Sequence, residues 1–236
     1  MAMNSPYFKK GLKDGIPICL GYLSVSFAFG VYAVSSGLTA AEALLLSLTN
    51  VTSAGQMAGV PIIVQGGTLL ELAACQLVIN LRYALMSVSL SQKLDGSVTL
   101  RDRLIIAFMN TDEVFAVASR KQHTIRTPYM LGLITLPYLG WAAGTLLGAA
   151  AGDVLPALIA DALGVAIYGM FIAIVVPAAR HSRPTLLCAL LAAGLGCCFR
   201  FIPALQCVPE GFVIIICAVA AAAVCAVLFP FTDRDF

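Results

Sequence analysis

Among the charged side chains that stand inside largely apolar stretches of sequence, three are the first candidates for chemistry. Arg82 occurs within an apolar run at residues 67–90. Asp112 and Glu113 stand at the centre of a short run at residues 104–119. A charge at the centre of a bilayer costs about 2.5–3.5 kcal/mol on insertion scales, so such residues pair with one another or face water. We therefore expect one acid to pair with Arg82 and the other to face a cavity and exchange protons.

The alternative for the acids is that residues 104–119 do not cross the membrane. In that case the run is an amphipathic segment, and its acids lie in water. The run has only about 15 residues, whereas a spanning helix needs about 20. Residue spacing alone leaves both interpretations open.

A second candidate is the polar segment in the middle of the run at residues 40–64, which reads N-V-T-S-A-G-Q-M-A-G-V-P from Asn50. Irregular backbone at membrane depth is tolerated only where protein or a water-filled cavity covers it. The segment therefore predicts a broken helix that lines a cavity. Its polar and small residues are candidates for substrate binding: Asn50, Thr52, Ser53, Gly55 and Gln56.

The run at residues 67–90 supplies the other candidates. Polar side chains share one stripe of a helix here: Gln76, Asn80, Tyr83 and Ser87. Apolar side chains share roughly another: Leu70, Leu77, Leu81, Leu85 and Val88. We expect the apolar stripe to face lipid, and we add Asn80, Arg82 and Tyr83 to the substrate-binding set. Asp112 and Glu113 are the candidate coupling residues. The alternative is that the polar residues only form hydrogen bonds between helices, each of which stabilises the bundle by about 0.6 kcal/mol on average.

The elements that must position these residues are apolar runs of membrane-spanning length. Hydrophobic residues make up 60% of the 236-residue chain and charged residues only 11%, against roughly 25% charged in soluble domains. Eight runs fall near residues 15–36, 40–64, 67–90, 104–119, 128–150, 155–179, 185–204 and 210–230. We predict an all-α, polytopic transmembrane helical bundle with seven or eight spans, forming a single integral membrane transport domain over residues 1–236. Tyr22, Tyr129, Tyr138 and Trp141 are expected mainly at the membrane interfaces.

Basic residues cluster outside the apolar runs, as the positive-inside rule predicts for cytoplasmic loops. The first cluster, Lys9 to Lys13, indicates a cytoplasmic N-terminus. If all eight runs cross, Arg120, Lys121 and Arg126 lie on the same side. If the run at residues 40–64 is re-entrant, seven spans remain and the later loops invert.

The sequence also suggests an internal repeat. L-G-Y-L-S-V-S-F-A-F-G from Leu20 is similar in spacing to L-P-Y-L-G-W-A-A-G from Leu136. The corresponding half-repeats cover about residues 15–120 and 128–230. Duplicated halves are common in secondary transporters, where the substrate site lies between them.

Several function classes lack their sequence signatures in this chain. It contains no P-loop, no G-x-S-x-G and no H-E-x-x-H. Both histidines lie in basic loops, and the eight cysteines form no C-x-x-C pair. We expect neither enzymatic activity nor a cofactor or metal. Nucleic-acid binding needs a basic face with aromatic residues between the charges, whereas these charges form short loop clusters, so no nucleic-acid partner is expected.

Four segments together resemble the AzlC family, the large subunits of two-component branched-chain amino acid exporters. In order they are G-I-P-I-C-L-G-Y-L-S-V-S-F-A-F-G from Gly15, A-G-Q-M-A from Ala54, N-L-R-Y-A-L-M-S-V-S-L from Asn80 and N-T-D-E-V-F-A-V from Asn110. The chain departs from the family pattern at Tyr83, where a histidine is common. It also departs at Gly164, where an acid is usual, unless Asp161 takes that place.

The resemblance implies efflux of valine, leucine or isoleucine across the cytoplasmic membrane of a prokaryote, driven by an ion gradient. It also implies a partner, a small AzlD-like membrane subunit. Two alternatives stay open on the residues alone. One is a membrane scaffold subunit that does not itself transport, and the other is a transporter of another small amino or organic acid.

Overall fold

A computed structural model describes residues 5–152, 172, 175–177 and 179–230 of this chain. The predicted run at residues 155–179 therefore lies largely outside the described residues. The α-helices within them are α1 (Pro6–Ser35), α2 (Ala40–Thr49), α3 (Ser53–Val64), α4 (Leu69–Ser91), α5 (Leu100–Phe108), α6 (Asp112–Ser119), α7 (Thr127–Gly152), α8 (Arg183–Phe201) and α9 (Glu210–Leu228). This architecture confirms the predicted all-α class.

Five helices in the described part of the chain are long and apolar enough to cross a bilayer: α1, α4, α7, α8 and residues Gly211–Leu228 of α9. Helices α2 and α3 are apolar but shorter. The leucines of α4 are exposed, with Leu77 at 68% and Leu85 at 72%, as expected for a lipid-facing stripe. The architecture is that of a helical membrane protein, and the number of seven or eight spans stays a prediction.

The chain divides into two compact units. The first comprises Met1–Met57 and Asn80–Gly164, and the second comprises Ala58–Ile79 and Val165–Phe236. In the second unit, the carboxylate of Glu71 accepts a hydrogen bond from the backbone amide of Gly211, at the start of α9, over 2.9 Å. The residues that the sequence singled out lie in the first unit.

Helices α1 and α7 pack closely and run parallel in the first unit. Gly11 of α1 lies against the backbone of Tyr129 and Leu133, whereas Gly30, farther along α1, lies against that of Thr145 and Ala149. Neither glycine leaves room for a Cβ atom. Small residues let membrane helices approach until their backbones touch, which increases van der Waals contact where no hydrophobic effect drives association.

An ion pair connects the loop before α7 to the start of α1. Lys121 Nζ lies 2.8 Å from Asp14 Oδ2, and the Tyr129 hydroxyl donates to the same oxygen over 2.8 Å. This loop and the start of α1 therefore lie on one side of the membrane. If the run at residues 40–64 alone turned back, this loop would lie on the opposite side from the start of α1, which is not what the structure shows. The runs at 40–64 and 104–119 must either both cross the membrane or both turn back.

Both of these runs are broken helices. The predicted break is confirmed at residues 50–52, where α2 ends and α3 begins, and it is shorter than the polar segment suggested. A second break, which was not predicted, separates α5 from α6 at residues 109–111.

The two broken helices share a local pattern. Each opens with a capping box, Thr39 with Glu42 at α2 and Thr99 with Asp102 at α5. Such a box satisfies the backbone amides that a helix start leaves unpaired. In each case an asparagine stands in the break eleven positions after the capping threonine.

Candidate functional site

A cavity of about 170 Å³ lies between the two helix breaks, within the first unit. The first break contributes Thr49, Asn50, Val51 and Thr52, the second contributes Ala107, Phe108, Asn110 and Thr111, and α4 contributes Asn80 and Tyr83. The structure thus brings together four residues of the predicted substrate-binding set: Asn50, Thr52, Asn80 and Tyr83.

Asn110 gives the cavity an unsatisfied hydrogen-bond acceptor. Its side chain is buried, with 2% exposed, and its Nδ2 donates to Ser87 Oγ over 3.0 Å. Its Oδ1 is also buried and has no hydrogen-bond partner among the described residues. Leaving a buried polar group unpaired costs about 1–3 kcal/mol, so a donor that reaches this oxygen would recover that energy.

Arg82 links the cavity wall to the start of α6. Its guanidinium lies 2.6 Å from Asp112 Oδ2, which confirms the expected pairing with one of the two acids. It also donates to the Tyr83 hydroxyl over 3.0 Å and lies 4.8 Å from the centre of that ring. Both charged side chains are about half exposed, at 49% and 40%. Pairs this exposed contribute little to stability, so stability alone does not explain two charges here.

Glu113 has a different partner from Asp112. The Tyr22 hydroxyl donates to Glu113 Oε2 over 2.6 Å. Tyr22 is only 7% exposed and packs edge-on against Trp141, with ring centres 5.0 Å apart. The interfacial position expected for Tyr22 and Trp141 was therefore wrong, since both rings lie in the protein interior. Tyr22 was missed as a site residue because a lone tyrosine gives no sequence signal for its partner.

Gln56 lies in a separate, buried hydrogen-bond network. Its Nε2 donates to Ser47 Oγ over 2.7 Å, and its Oε1 accepts from Trp141 Nε1 over 3.0 Å. Ser47 is in turn bonded to Thr145 over 2.7 Å. This interior network joins α2, α3 and α7. Gln56 does not line the cavity in this conformation.

The other predicted residues of this segment also stand apart from the cavity. Ser53 is the half-buried first residue of α3, and Gly55 is buried in its first turn. Asp161 and Gly164, where the resemblance implies a departure from the family pattern, lie outside the described residues.

The second break supplies cavity residues that the sequence reasoning did not select, among them Phe108, Asn110 and Thr111. A signal was present in the eleven-residue spacing from a capping threonine to an asparagine, which the two broken helices share. Asn110 and Thr111 directly precede the two acids in the sequence.

Comparison with known proteins identifies the family. The family model described as AzlC protein matches residues 17–155, more than half of the chain. A relative from Archaeoglobus fulgidus, described as an uncharacterized membrane protein, is 36% identical over 183 residues, which cover 76% of this chain and 80% of the relative. The inner membrane protein YgaZ of Escherichia coli is 28% identical over 150 residues, or 62% of this chain and 61% of that protein.

No solved structure matches the chain at a significant level. The family match includes both helix breaks, α4 and all the residues that line the cavity between them. Membership of this family of membrane proteins and a polar cavity among apolar helices are consistent with a transport-related role. This chain belongs to the AzlC family.

Proposed function

We propose that this protein is the large subunit of a secondary transporter that exports branched-chain amino acids across the cytoplasmic membrane of a prokaryote. The observation that carries the proposal is the cavity between the two helix breaks, with its unsatisfied Asn110 oxygen. Broken helices that meet near a small polar cavity are the usual way in which secondary transporters bind a substrate within the membrane.

The chemistry of the cavity suits an aliphatic zwitterion. Asn110 Oδ1 accepts a hydrogen bond from the ammonium group of the substrate. The substrate carboxylate is drawn to the start of α3, because a helix N-terminus carries a partial positive charge. Val51, Ala107 and Phe108 supply apolar wall for an aliphatic side chain. The volume of about 170 Å³ is below the roughly 300–1,000 Å³ of pockets for drug-sized ligands, which favours a small molecule.

The Arg82–Asp112 pair provides a means of coupling to an ion gradient. While Asp112 is ionised, it holds the guanidinium 2.6 Å away at the start of α6. When Asp112 binds a proton, the attraction weakens and Arg82 is free to meet the substrate carboxylate. Glu113, held by Tyr22, is the second carboxylate that can carry a proton. The proposal assigns substrate binding to the cavity and coupling to these two acids.

Two further parts of the proposal rest on the family resemblance and on the loop charges. The resemblance supports a small AzlD-like membrane subunit as partner, and the Lys9 to Lys13 cluster supports a cytoplasmic N-terminus. Co-expression with a candidate small subunit and purification through a tag on this chain tests the first. A reporter fused to the N-terminus tests the second.

The function is tested by exchange of labelled amino acids in liposomes that contain both subunits. We expect counterflow of valine, leucine and isoleucine, and little counterflow of lysine or glutamate. Asp112→Asn and Glu113→Gln should lose exchange or its pH dependence, whereas Asp95→Asn, in the loop before α5, should retain both. A pair of subunits that exchanges no aliphatic amino acid would overturn the proposal. Normal exchange by both acid variants at every pH would remove the acids from the mechanism.

A further inference from the structure

A second cavity, of about 320 Å³, lies where α1 and α7 begin. Four basic side chains line it: Lys10, Lys121, His123 and Arg126. Tyr7 and Tyr129 line it as well. It shares no lining residue with the cavity between the helix breaks, and the proposed transport mechanism does not use it.

One of these cations is already neutralised. Lys121 binds Asp14, and that hydrogen bond raises the pKa of Lys121, so it stays protonated at physiological pH. Asp14 also accepts from the Tyr129 hydroxyl, so its Oδ2 holds two donors at once. The pair fixes the wall of the cavity and adds no net charge to it.

Lys10 and Arg126 are not neutralised in this way. Neither forms an ion pair in the described part of the chain. Arg126 instead lies over the ring of Tyr7, 5.3 Å from its centre. Asp95 lies near Arg126, and its pKa is lowered mainly by hydrogen bonds from Ser97 and to a smaller extent by the charge of Arg126. The carboxylate that neutralises the first cation lies one helical turn after Lys10 on α1 and also interacts with its charge. Three cations at the cavity thus have two carboxylates near them, which leaves an excess of positive charge.

The depth of the cavity matches the headgroup layer of a bilayer. The apolar part of α1 begins at Gly15, five residues after Lys10. Five residues of helix span about 7.5 Å at 1.5 Å per residue. The polar layer on each side of the hydrocarbon core is about 5–8 Å thick. Tyr7, which is 48% exposed, has the amphipathic character of residues that lie at this level.

We propose that this cavity binds a phosphate group, carried either by an anionic lipid headgroup or by a free phosphate ion. Arginine and lysine together are the usual ligands for phosphate, arginine through its planar fork and lysine through a point charge. Basic cavities between membrane helices at the level of the headgroups hold anionic lipids in this way. The site is independent of the proposed transport, so its loss leaves the substrate cavity intact.

The proposal is tested with two double variants that remove equal charge from the full-length protein. Lys10→Gln with Arg126→Gln removes two cations from the cavity, whereas Lys9→Gln with Lys13→Gln removes two exposed cations of α1 that do not line it. Native mass spectrometry then counts phosphatidylglycerol and phosphatidylcholine molecules retained by each purified protein. The single variant Lys10→Gln, at an exposed position, guards against a folding defect in the double variant.

We expect the native protein to retain phosphatidylglycerol over phosphatidylcholine, and the Lys10/Arg126 variant to lose at least about fivefold of that retention. The Lys9/Lys13 variant should keep it. In a second arm, inorganic phosphate is added to delipidated protein and the melting temperature is recorded. Free phosphate is the source if inorganic phosphate raises the melting temperature, if this effect requires Lys10 and Arg126, and if no lipid is selectively retained. Equal loss in both double variants, or no response to either ligand, overturns the proposal.

Discussion

Two groups of polar side chains in the first unit differ in how well their hydrogen bonds are satisfied. In the interior network each side chain has a partner, and Gln56, Ser47 and Thr145 are almost completely buried. At the cavity, Asn110 keeps an unpaired oxygen, and the Arg82–Asp112 pair is half exposed. A polar residue among membrane helices is therefore not a site by itself. We take unmet hydrogen-bonding capacity at a residue that lines a cavity to distinguish a site from an interhelical contact.

The largest effect is expected at the ion pair. Arg82→Gln removes the cation that the substrate carboxylate would meet and leaves Asp112 unpaired. The lost contact with the substrate carboxylate is a charge-assisted hydrogen bond worth about 1.5–3 kcal/mol, so exchange of valine should fall roughly tenfold or more. The melting temperature should change little, because both side chains are half exposed. A variant that loses stability but exchanges valine normally would place this pair with the interior network instead.

The unpaired acceptor of Asn110 gives the next largest effect. Asn110→Leu keeps the branching of the side chain but removes the oxygen that accepts from the ammonium group. One such hydrogen bond is worth about 1–1.5 kcal/mol, so the apparent affinity for valine should fall about five- to tenfold. The control is Ser87→Ala, which removes the partner of Asn110 Nδ2 outside the lining of the cavity. Equal losses of affinity in the two variants would show that the Asn110 oxygen has no special role.

Gln56→Leu should lower stability and leave transport unchanged, which is the reverse of the result expected for Arg82→Gln. The variant loses two hydrogen bonds, to Ser47 and Trp141, each worth about 0.6–1.7 kcal/mol between membrane helices. The melting temperature should therefore fall by roughly 3–10 °C, while the KM for valine stays unchanged. Leu146→Ala, on the exposed side of α7, is the control. A raised KM without a loss of stability would restore Gln56 to the substrate-binding set.

Tyr22→Phe is expected to have the smallest effect. The ring keeps its edge-on contact with Trp141, and only the hydrogen bond to Glu113 is lost. A single contact of this kind is worth about 0.6 kcal/mol, which corresponds to a two- to threefold change in exchange rate at most. The pH profile of exchange is the measurement, because a freed Glu113 should shift the profile if it carries a coupling proton. An unchanged profile would assign coupling to Asp112 alone.

The sequence predicts part of this comparison well. An unpaired charge in lipid is costly, and this alone predicts that Arg82 pairs with an acid. The concentration of polar and small residues after Thr49 predicts the position of the first break. The helical class and the exposed leucines of α4 follow from hydropathy and from the helical period.

The rest depends on tertiary contacts that no local pattern encodes. The direction in which Gln56 points is set by how α3 packs against Trp141, so its polarity alone did not separate a ligand from an interhelical contact. The parallel packing of α1 on α7 arises from glycines such as Gly11 and Gly30, but glycine is frequent throughout the chain. The second break is harder to predict, because residues 109–111 contain no glycine or proline and only two polar side chains.

The most direct test of the substrate cavity compares water access at the two polar groups. Single cysteines are introduced into a background that lacks the eight native ones: Thr52→Cys and Asn80→Cys at the cavity, and Ser47→Cys and Thr145→Cys in the interior network. Each variant is treated with a membrane-impermeant thiol reagent in liposomes, with and without valine. If the cavity is the transport site, the first two cysteines are labelled and valine protects them, whereas the other two stay unreactive. Equal labelling at both groups, or labelling at the cavity that valine does not affect, would contradict this assignment.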